Sequence, residues 1–342
     1  MSRPFEPAWW CRNPHLQTML PNWLRPRPRI ELRRERLELP DGDFVDIDWT
    51  PQTSGPIVLL LHGLQGSSRS RYARSILRAV DRAGWRGAIV HFRGCSGEPN
   101  RLPRSYHSGE TGDLDYVVRR LREREPATPL AAIGVSLGGN VLLKWLGETG
   151  ANAPIVAAVA ISVPYLLNRA ADRLESGFSK LYQWHLLLSL RATFAAKRKV
   201  VTLPLSIERL SQLKSFRDFD THVTAPLHGF RDADHYYAEA SSRPFLRGIG
   251  VPTLLIHARD DPFMMPDVVP DPHELADCVT LEVYTRGGHV GFVAGRWPWR
   301  PEYWLEERVP AFLRAYLARE AHSAGEPLAA IGHADNELSK TA

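Results

Sequence analysis

Between Ile57 and Val163 the chain alternates short apolar runs with segments of helical periodicity, and few folds tolerate that pattern. The runs are Ile57 to Leu61, Gly87 to Phe92, Leu130 to Val135 and Ile155 to Val163. Helical spacing covers Arg71 to Ala83, Asp113 to Arg124 and Gly139 to Glu148. A continuous aliphatic or β-branched run suits a strand buried on both faces, and a helix between two such strands is a crossover. The expectation is an α/β architecture, a mostly parallel sheet with helices on both faces. After Pro164 the alternation breaks. Residues 165–245 read as helices without a strand, and the alternation resumes with Thr253 to Ala258, Val279 to Tyr284 and a closing helix from Glu302 to Arg319. An excursion of that length is no plain crossover, and a helical lid is the natural reading.

Ahead of the alternation, Glu31 to Leu39 and Phe44 to Trp49 flank Pro40-Asp-Gly-Asp43, a hairpin signal. The domain expectation for the 342 residues is an irregular N-terminal arm over 1–30, rich in Pro, Arg and Trp. A core follows over 31–164 and 246–320, with the lid at 165–245 and a flexible tail at 321–342.

Composition narrows the function classes. With 44% hydrophobic and 24% charged residues the chain can fill a large core. The net charge of +5 is spread over runs interrupted by acids or apolar residues, which reads as solvated basic faces and not as a nucleic-acid site. A weak contact with anionic membrane surfaces stays open. Cys11, Cys95 and Cys278 are far apart and odd in number, against a disulfide framework or a structural zinc site. With no apolar signal segment after Met1, the expected compartment is the cytoplasm. Leu181 to Ala196 is apolar but carries Gln183, His185 and Arg191, an amphipathic helix and not a membrane span.

The chemistry concentrates at strand ends. Gly134-Val-Ser-Leu-Gly138 sits where the Leu130 run meets the next helix. A sharp strand-to-helix turn presents Ser136 as a nucleophile, and glycines at 134 and 138 avoid collision with neighbouring backbone. Tetrahedral intermediates need two amide donors. One is expected from Leu137, the other from Leu64 in His62-Gly-Leu-Gln-Gly66 after the first parallel strand. His62 falls out of order for the base and reads as a packing residue. A serine hydroxyl requires a base, and the chain order in such sheets is Ser, acid, His. Thr253 to Ala258 leads into Arg259-Asp-Asp-Pro-Phe263, and Val279 to Tyr284 leads into Gly287-Gly-His-Val-Gly-Phe292. His289 is the expected base. Asp261, fixed by Pro262, is favoured as the acid, with Asp260 as the alternative and otherwise a loop-stabilising group.

Longer motifs then name a family. Asn13-Pro-His-Leu-Gln-Thr18, Leu39-Pro-Asp-Gly-Asp-Phe44, His91-Phe-Arg-Gly-Cys-Ser-Gly-Glu-Pro-Asn-Arg101, Tyr106-His-Ser-Gly-Glu-Thr111 and the two late loops stand in order. Together they resemble the YheT-like branch of the α/β-hydrolases, related to animal α/β-hydrolase-domain lipases. The resemblance implies the α/β-hydrolase fold with an eight-stranded sheet. It also implies a cytoplasmic carboxylic ester hydrolase with Ser136, Asp261 and His289 as its triad, of short-chain carboxylesterase or monoacylglycerol lipase type. Animal relatives of this branch act on phospholipids. The substrate would be a small ester or lipid, with no metal or organic cofactor.

Two competitors share the sequence. An acyltransferase would pass the same acyl-enzyme to an alcohol or thiol, and a binding protein would use the scaffold without chemistry. Ser at the turn disfavours dehalogenase or epoxide hydrolase chemistry, which place Asp there. The charged loop from Arg93 to Glu110, with Glu98, Arg101, Arg104 and His107, could recognise a headgroup or hold the lid through ion pairs. Phe178, Tyr182, Trp184, Leu186 to Leu188 and Phe194 could line a lipid channel or form a helix core.

Overall fold

The computed structural model describes residues 3–25, 28–203 and 205–323. Eight strands form one sheet: β1 (Arg33–Glu38), β2 (Phe44–Trp49), β3 (Ile57–Leu61), β4 (Arg86–Val90), β5 (Leu130–Val135), β6 (Ala157–Ile161), β7 (Thr253–Ala258) and β8 (Val279–Tyr284). Their order is β1-β2-β4-β3-β5-β6-β7-β8. β2 pairs antiparallel with β1 and β4, and every other pair is parallel. The period of two sorts the core. Leu59 and Leu61 of β3 pack on one face with Val117 and Leu121 of α3 (Gly112–Arg124) and Val141 of α4 (Leu137–Thr149). Val58 and Leu60 pack on the other with Ile76 and Leu77 of α2 (Arg71–Arg82) and Val309 and Leu313 of α11 (Leu305–Ser323).

The excursion after β6 holds α5 (Leu167–Leu174), α6 (Ser179–Lys197), α7 (Ile207–Gln212), α8 (Phe216–Phe219), α9 (Ala225–His228) and α10 (Ala233–Ala240). A π-helical turn, Asp220–Thr224, joins α8 to α9. These helices share a core of their own, with Leu187, Leu190, Phe194, Phe216 and Tyr237 buried in it.

Three local expectations need correction. The N-terminal arm is not wholly irregular, because Pro14–Leu24 forms helix α1. The Asn13 side chain accepts from the amides of His15 and Leu16, and Pro14 takes the first turn, where no amide is needed. Pro21 inside the helix obscures that signal. The closing helix starts at Leu305, not Glu302, because Glu302 and Tyr303 belong to a hairpin of β9 (Val293–Trp297) and β10 (Arg300–Tyr303), where they oppose Ala294 and Val293. That helix also runs on to Ser323, and the remainder of the expected tail, 324–342, lies outside the described residues. Among the described residues no helix is long and apolar enough to cross a membrane.

Candidate active site

Ser136 stands alone between the end of β5 and the start of α4, with φ 54° and ψ −121°. A non-glycine residue at such angles costs roughly 1–3 kcal/mol and persists only where its surroundings impose it. Here its amide donates to the Ile161 carbonyl of β6 at 2.8 Å, and its carbonyl accepts from the Gly139 and Asn140 amides. A Cβ at Gly138 would lie 2.5 Å from the carbonyl oxygens of Leu61 and His62, and one at Gly134 would lie 2.6 Å from the Gly138 oxygen. All these neighbours are backbone, so neither site admits a side chain.

The two late loops reach the same rim. His289 Nε2 lies 3.1 Å from Ser136 Oγ, and His289 Nδ1 lies 2.8 Å from Asp261 Oδ2. A carboxylate only accepts, so Nδ1 carries the proton and Nε2 is left to accept from the serine hydroxyl. Asp261 is buried, and its other oxygen accepts from the Phe263 amide at 2.9 Å. One side chain thus closes an Asx-type turn and holds the imidazole. The Phe263 ring stacks on that imidazole at 4.1 Å between centroids. Asp260 turns away and accepts from the Gly288 amide at 2.9 Å, and burial pushes its carboxyl upward.

Several supports of the histidine loop escaped the sequence reading. Thr18 of α1 accepts from the His289 amide through Oγ1 at 2.9 Å. Gln17, fully buried, accepts from the Val293 amide at 2.7 Å and donates to the Val293 and Cys11 carbonyls at 3.0 and 2.7 Å. Ser162, at φ 51° after β6, accepts from the Val290 amide at 3.0 Å. The Asn13-to-Thr18 motif was visible as a string, but no local pattern ties it to a loop more than 270 residues away.

The loop after β3 is clamped by two tyrosines. Tyr72 Oη accepts from the Gly63 amide at 2.8 Å, and Tyr106 Oη accepts from the Gln65 amide at 2.9 Å. Between them the Leu64 amide has no acceptor among the described residues, and neither does the Leu137 amide at the first position of α4. Leu64, Leu137, Ser136 and His289 all line one cavity. His62 is buried, donates from Nδ1 to the Gly63 carbonyl at 2.8 Å and accepts the Phe92 amide at Nε2 at 3.2 Å. Burial pushes it down to about 3, so it is a neutral packing group.

The cavity measures about 690 Å³ and opens between α1, the helical excursion and the rim of the sheet. Leu167, Leu174, Leu190, Phe194 and Phe216 give it apolar walls, and His107, His228, Asp220, Tyr236 and Tyr237 give it polar lining. Burial pushes Asp220 up to about 6, and it accepts from Tyr237 Oη at 2.7 Å and Thr224 Oγ1 at 2.6 Å. The excursion's aromatic and aliphatic residues divide: Leu187 belongs to its core, Tyr182 and Leu186 face the cavity, Phe194 does both, Phe178 and Leu188 are exposed, and Trp184 is exposed at the mouth.

The charged loop is ion-paired within the protein. Arg93, buried, pairs with Asp41, Asp43 and Asp113, while Glu98 pairs with Arg36, Arg101 with Glu38 and Arg104 with Glu110. Its tie to the excursion runs through Lys197, which donates to the Arg104 carbonyl, and Tyr236, whose hydroxyl accepts from the Ser108 amide at 2.9 Å. Burial pushes the Cys95 thiol up to about 12, which keeps it protonated. Among the described residues, His107, Glu110 and His228 bring metal-capable atoms within 4.8 Å of one another. Arg104 already occupies Glu110, and burial together with Arg104 and its cationic neighbours holds both histidines down to about 3.

The comparisons agree with this architecture. Residues 56–295 match the model of the α/β hydrolase fold family. YheT of Escherichia coli (strain K12), named a candidate esterase, is 44% identical over 322 residues, 92% of this chain and 94% of that protein. The phospholipase ABHD3 of Mus musculus is 30% identical over 93% of this chain and 80% of its own length. A monoacylglycerol lipase of Saccharomyces cerevisiae is 30% identical over 76% of this chain and 59% of its own length. In structure, the chain resembles the esterase Pf2001 of Pyrococcus furiosus with a TM-score of 0.57 at 19% identity, over 84% of this chain and 92% of that one. The chain belongs to the α/β-hydrolase family, in its YheT-like branch, and is a hydrolase among esterases and lipases.

Proposed function

We propose that the protein cleaves carboxylic esters through an acyl-enzyme on Ser136. His289 takes the hydroxyl proton as Oγ attacks the acyl carbon, and Asp261 holds the imidazole tautomer and stabilises its cation. The Leu64 and Leu137 amides bind the oxyanion, the alcohol leaves with the proton from His289, and water repeats the cycle. The observation that carries the reading is the continuous relay from Asp261 Oδ2 through both ring nitrogens to Ser136 Oγ on the wall of the cavity. The helical excursion over 165–245 acts as the lid that sizes the acyl chain, and the mostly apolar walls support a short-chain ester or a monoacylglycerol as substrate.

A p-nitrophenyl ester series from acetate to palmitate tests both parts. Wild type should show an optimum set by the depth of the cavity, and Ser136→Ala should lose activity by about 10⁶-fold. Equal activity in the two proteins would end the proposal. The relatives' names keep a phospholipase in view. Adding an acceptor alcohol separates hydrolysis from transfer, since a transferase would release ester in place of free acid.

A further inference from the structure

The apolar rim of the cavity mouth suits a membrane better than it suits water. Helix α6 is apolar on two sides. Leu187, Leu190 and Phe194 enter the core of the excursion, while Leu181, Trp184 and Leu188, spaced i, i+3 and i+7, share the opposite, exposed face. Trp184 is 57% exposed. Helix α1 lies alongside, joined through His15, whose Nδ1 is 3.0 Å from Tyr182 Oη and whose ring packs on Phe178 at 4.4 Å. It adds Trp23, 64% exposed, and Leu24, 53% exposed. Trp23, Leu181 and Trp184 also line the cavity that holds Ser136, so this surface is continuous with the entrance. Scattered exposed apolar residues need no explanation, but a cluster ringing one opening does.

The charge pattern says what covers it. Residues 11–30 hold four arginines and no acid, and residues 176–207 hold five lysines and arginines and no acid. Nine of the 43 basic residues and none of the 38 acids therefore lie in the two stretches that contain α1 and α6, and of these Arg25 and Lys197 are buried and held inside the protein. Arg12, just before α1, and Lys180, in the first turn of α6, are exposed and form no ion pair among the described residues. Tryptophan and leucine flanked by unpaired cations is the chemistry that seats a helix in the headgroup layer of an anionic bilayer.

We infer that the face formed by α1 and the outer side of α6 docks on an anionic phospholipid bilayer, with the cavity mouth against the membrane. This goes beyond the proposed reaction and does not require Ser136 to be the nucleophile. Flotation of the full chain with vesicles of phosphatidylcholine alone, or with about 30% phosphatidylglycerol, tests it. Wild type and Ser136→Ala should float equally with the anionic vesicles, and binding should fall several-fold in about 0.5 M salt. The pair Leu24→Ser with Leu188→Ser should weaken binding about tenfold or more. The pair Arg12→Glu with Lys180→Glu should weaken binding to anionic vesicles and leave any binding to neutral ones unchanged. Thermal unfolding of each variant checks that it is folded. Wild type that stays in solution overturns the inference, as does an apolar pair that floats like wild type. A dimer in sedimentation that the apolar pair breaks also overturns it, because a second copy would then be the occupant.

Discussion

Asp260 and Asp261 are adjacent, and in the sequence only Pro262 favours the second, yet the backbone separates them. The turn closed by the Phe263 amide on Asp261 aims its second oxygen at His289, while Asp260 faces the Gly288 amide. Asp261→Asn should therefore lower kcat on a soluble ester by on the order of 10⁴ through the wrong imidazole tautomer. Asp260→Asn keeps an oxygen that can accept from Gly288 and should stay within about tenfold of wild type. Steady-state kinetics of the two variants decides, and equal losses would contradict the assignment. At this scale the sequence was legible wherever a residue type is forced by the backbone, as at Gly134 and Gly138. It was silent on Phe263, whose stacking on the imidazole depends on how the acid loop folds back.

Among elements, α1 acts on the site from outside the sheet. Thr18 and Gln17 fix the loop of His289 by hydrogen bonds across the longest separations in the site. Thr18→Val removes the acceptor of the His289 amide while preserving shape. It should cut kcat about tenfold with KM little changed, and the stranded amide should cost about 1–3 kcal/mol of stability. Gln17→Ala strands the buried Val293 amide and the Cys11 carbonyl, while the Val293 carbonyl keeps the Ala8 amide, and it should cost about 2–3 kcal/mol of stability by chemical unfolding. A variant at Thr18 with unchanged kcat would remove α1 from the account. The strands and crossover helices could be read from periodicity because each buries a face set by its own repeat. Helix α1 and the β9–β10 hairpin could not, since Pro21 and Pro301 break the local pattern and tertiary bonds supply what propensity lacks.

For the molecule as a whole, the antiparallel edge of the sheet is an electrostatic clamp. Asp43, Asp46 and Asp48 are buried in or beside β2. Burial works to raise all three carboxyls, and the donors outweigh it. These are Asn100 with the Arg101 and Phe44 amides on Asp43, Arg36 and Ser96 on Asp46, and His91, Arg34 and Ser68 on Asp48. Each folded carboxyl thus lies below its unfolded value near 4. The stability they supply is present above that pH and lost as pH falls through the folded values. The unfolding midpoint should hold level above about pH 5 and drop steeply below 4, and Asp48→Asn should flatten the drop; a midpoint level down to pH 3 would contradict it. The composition showed these charges but not their partners, because arginine-rich β1 reads the same whether solvated or paired across strands. The proposed reaction requires one activated hydroxyl in an accessible cavity, and a fluorophosphonate probe reads that directly. Intact mass and peptide mapping should find one adduct per chain, on Ser136, absent in Ser136→Ala and greatly slowed in His289→Ala. Folded wild type that takes up no probe, or an adduct mapped to any other residue, would contradict it.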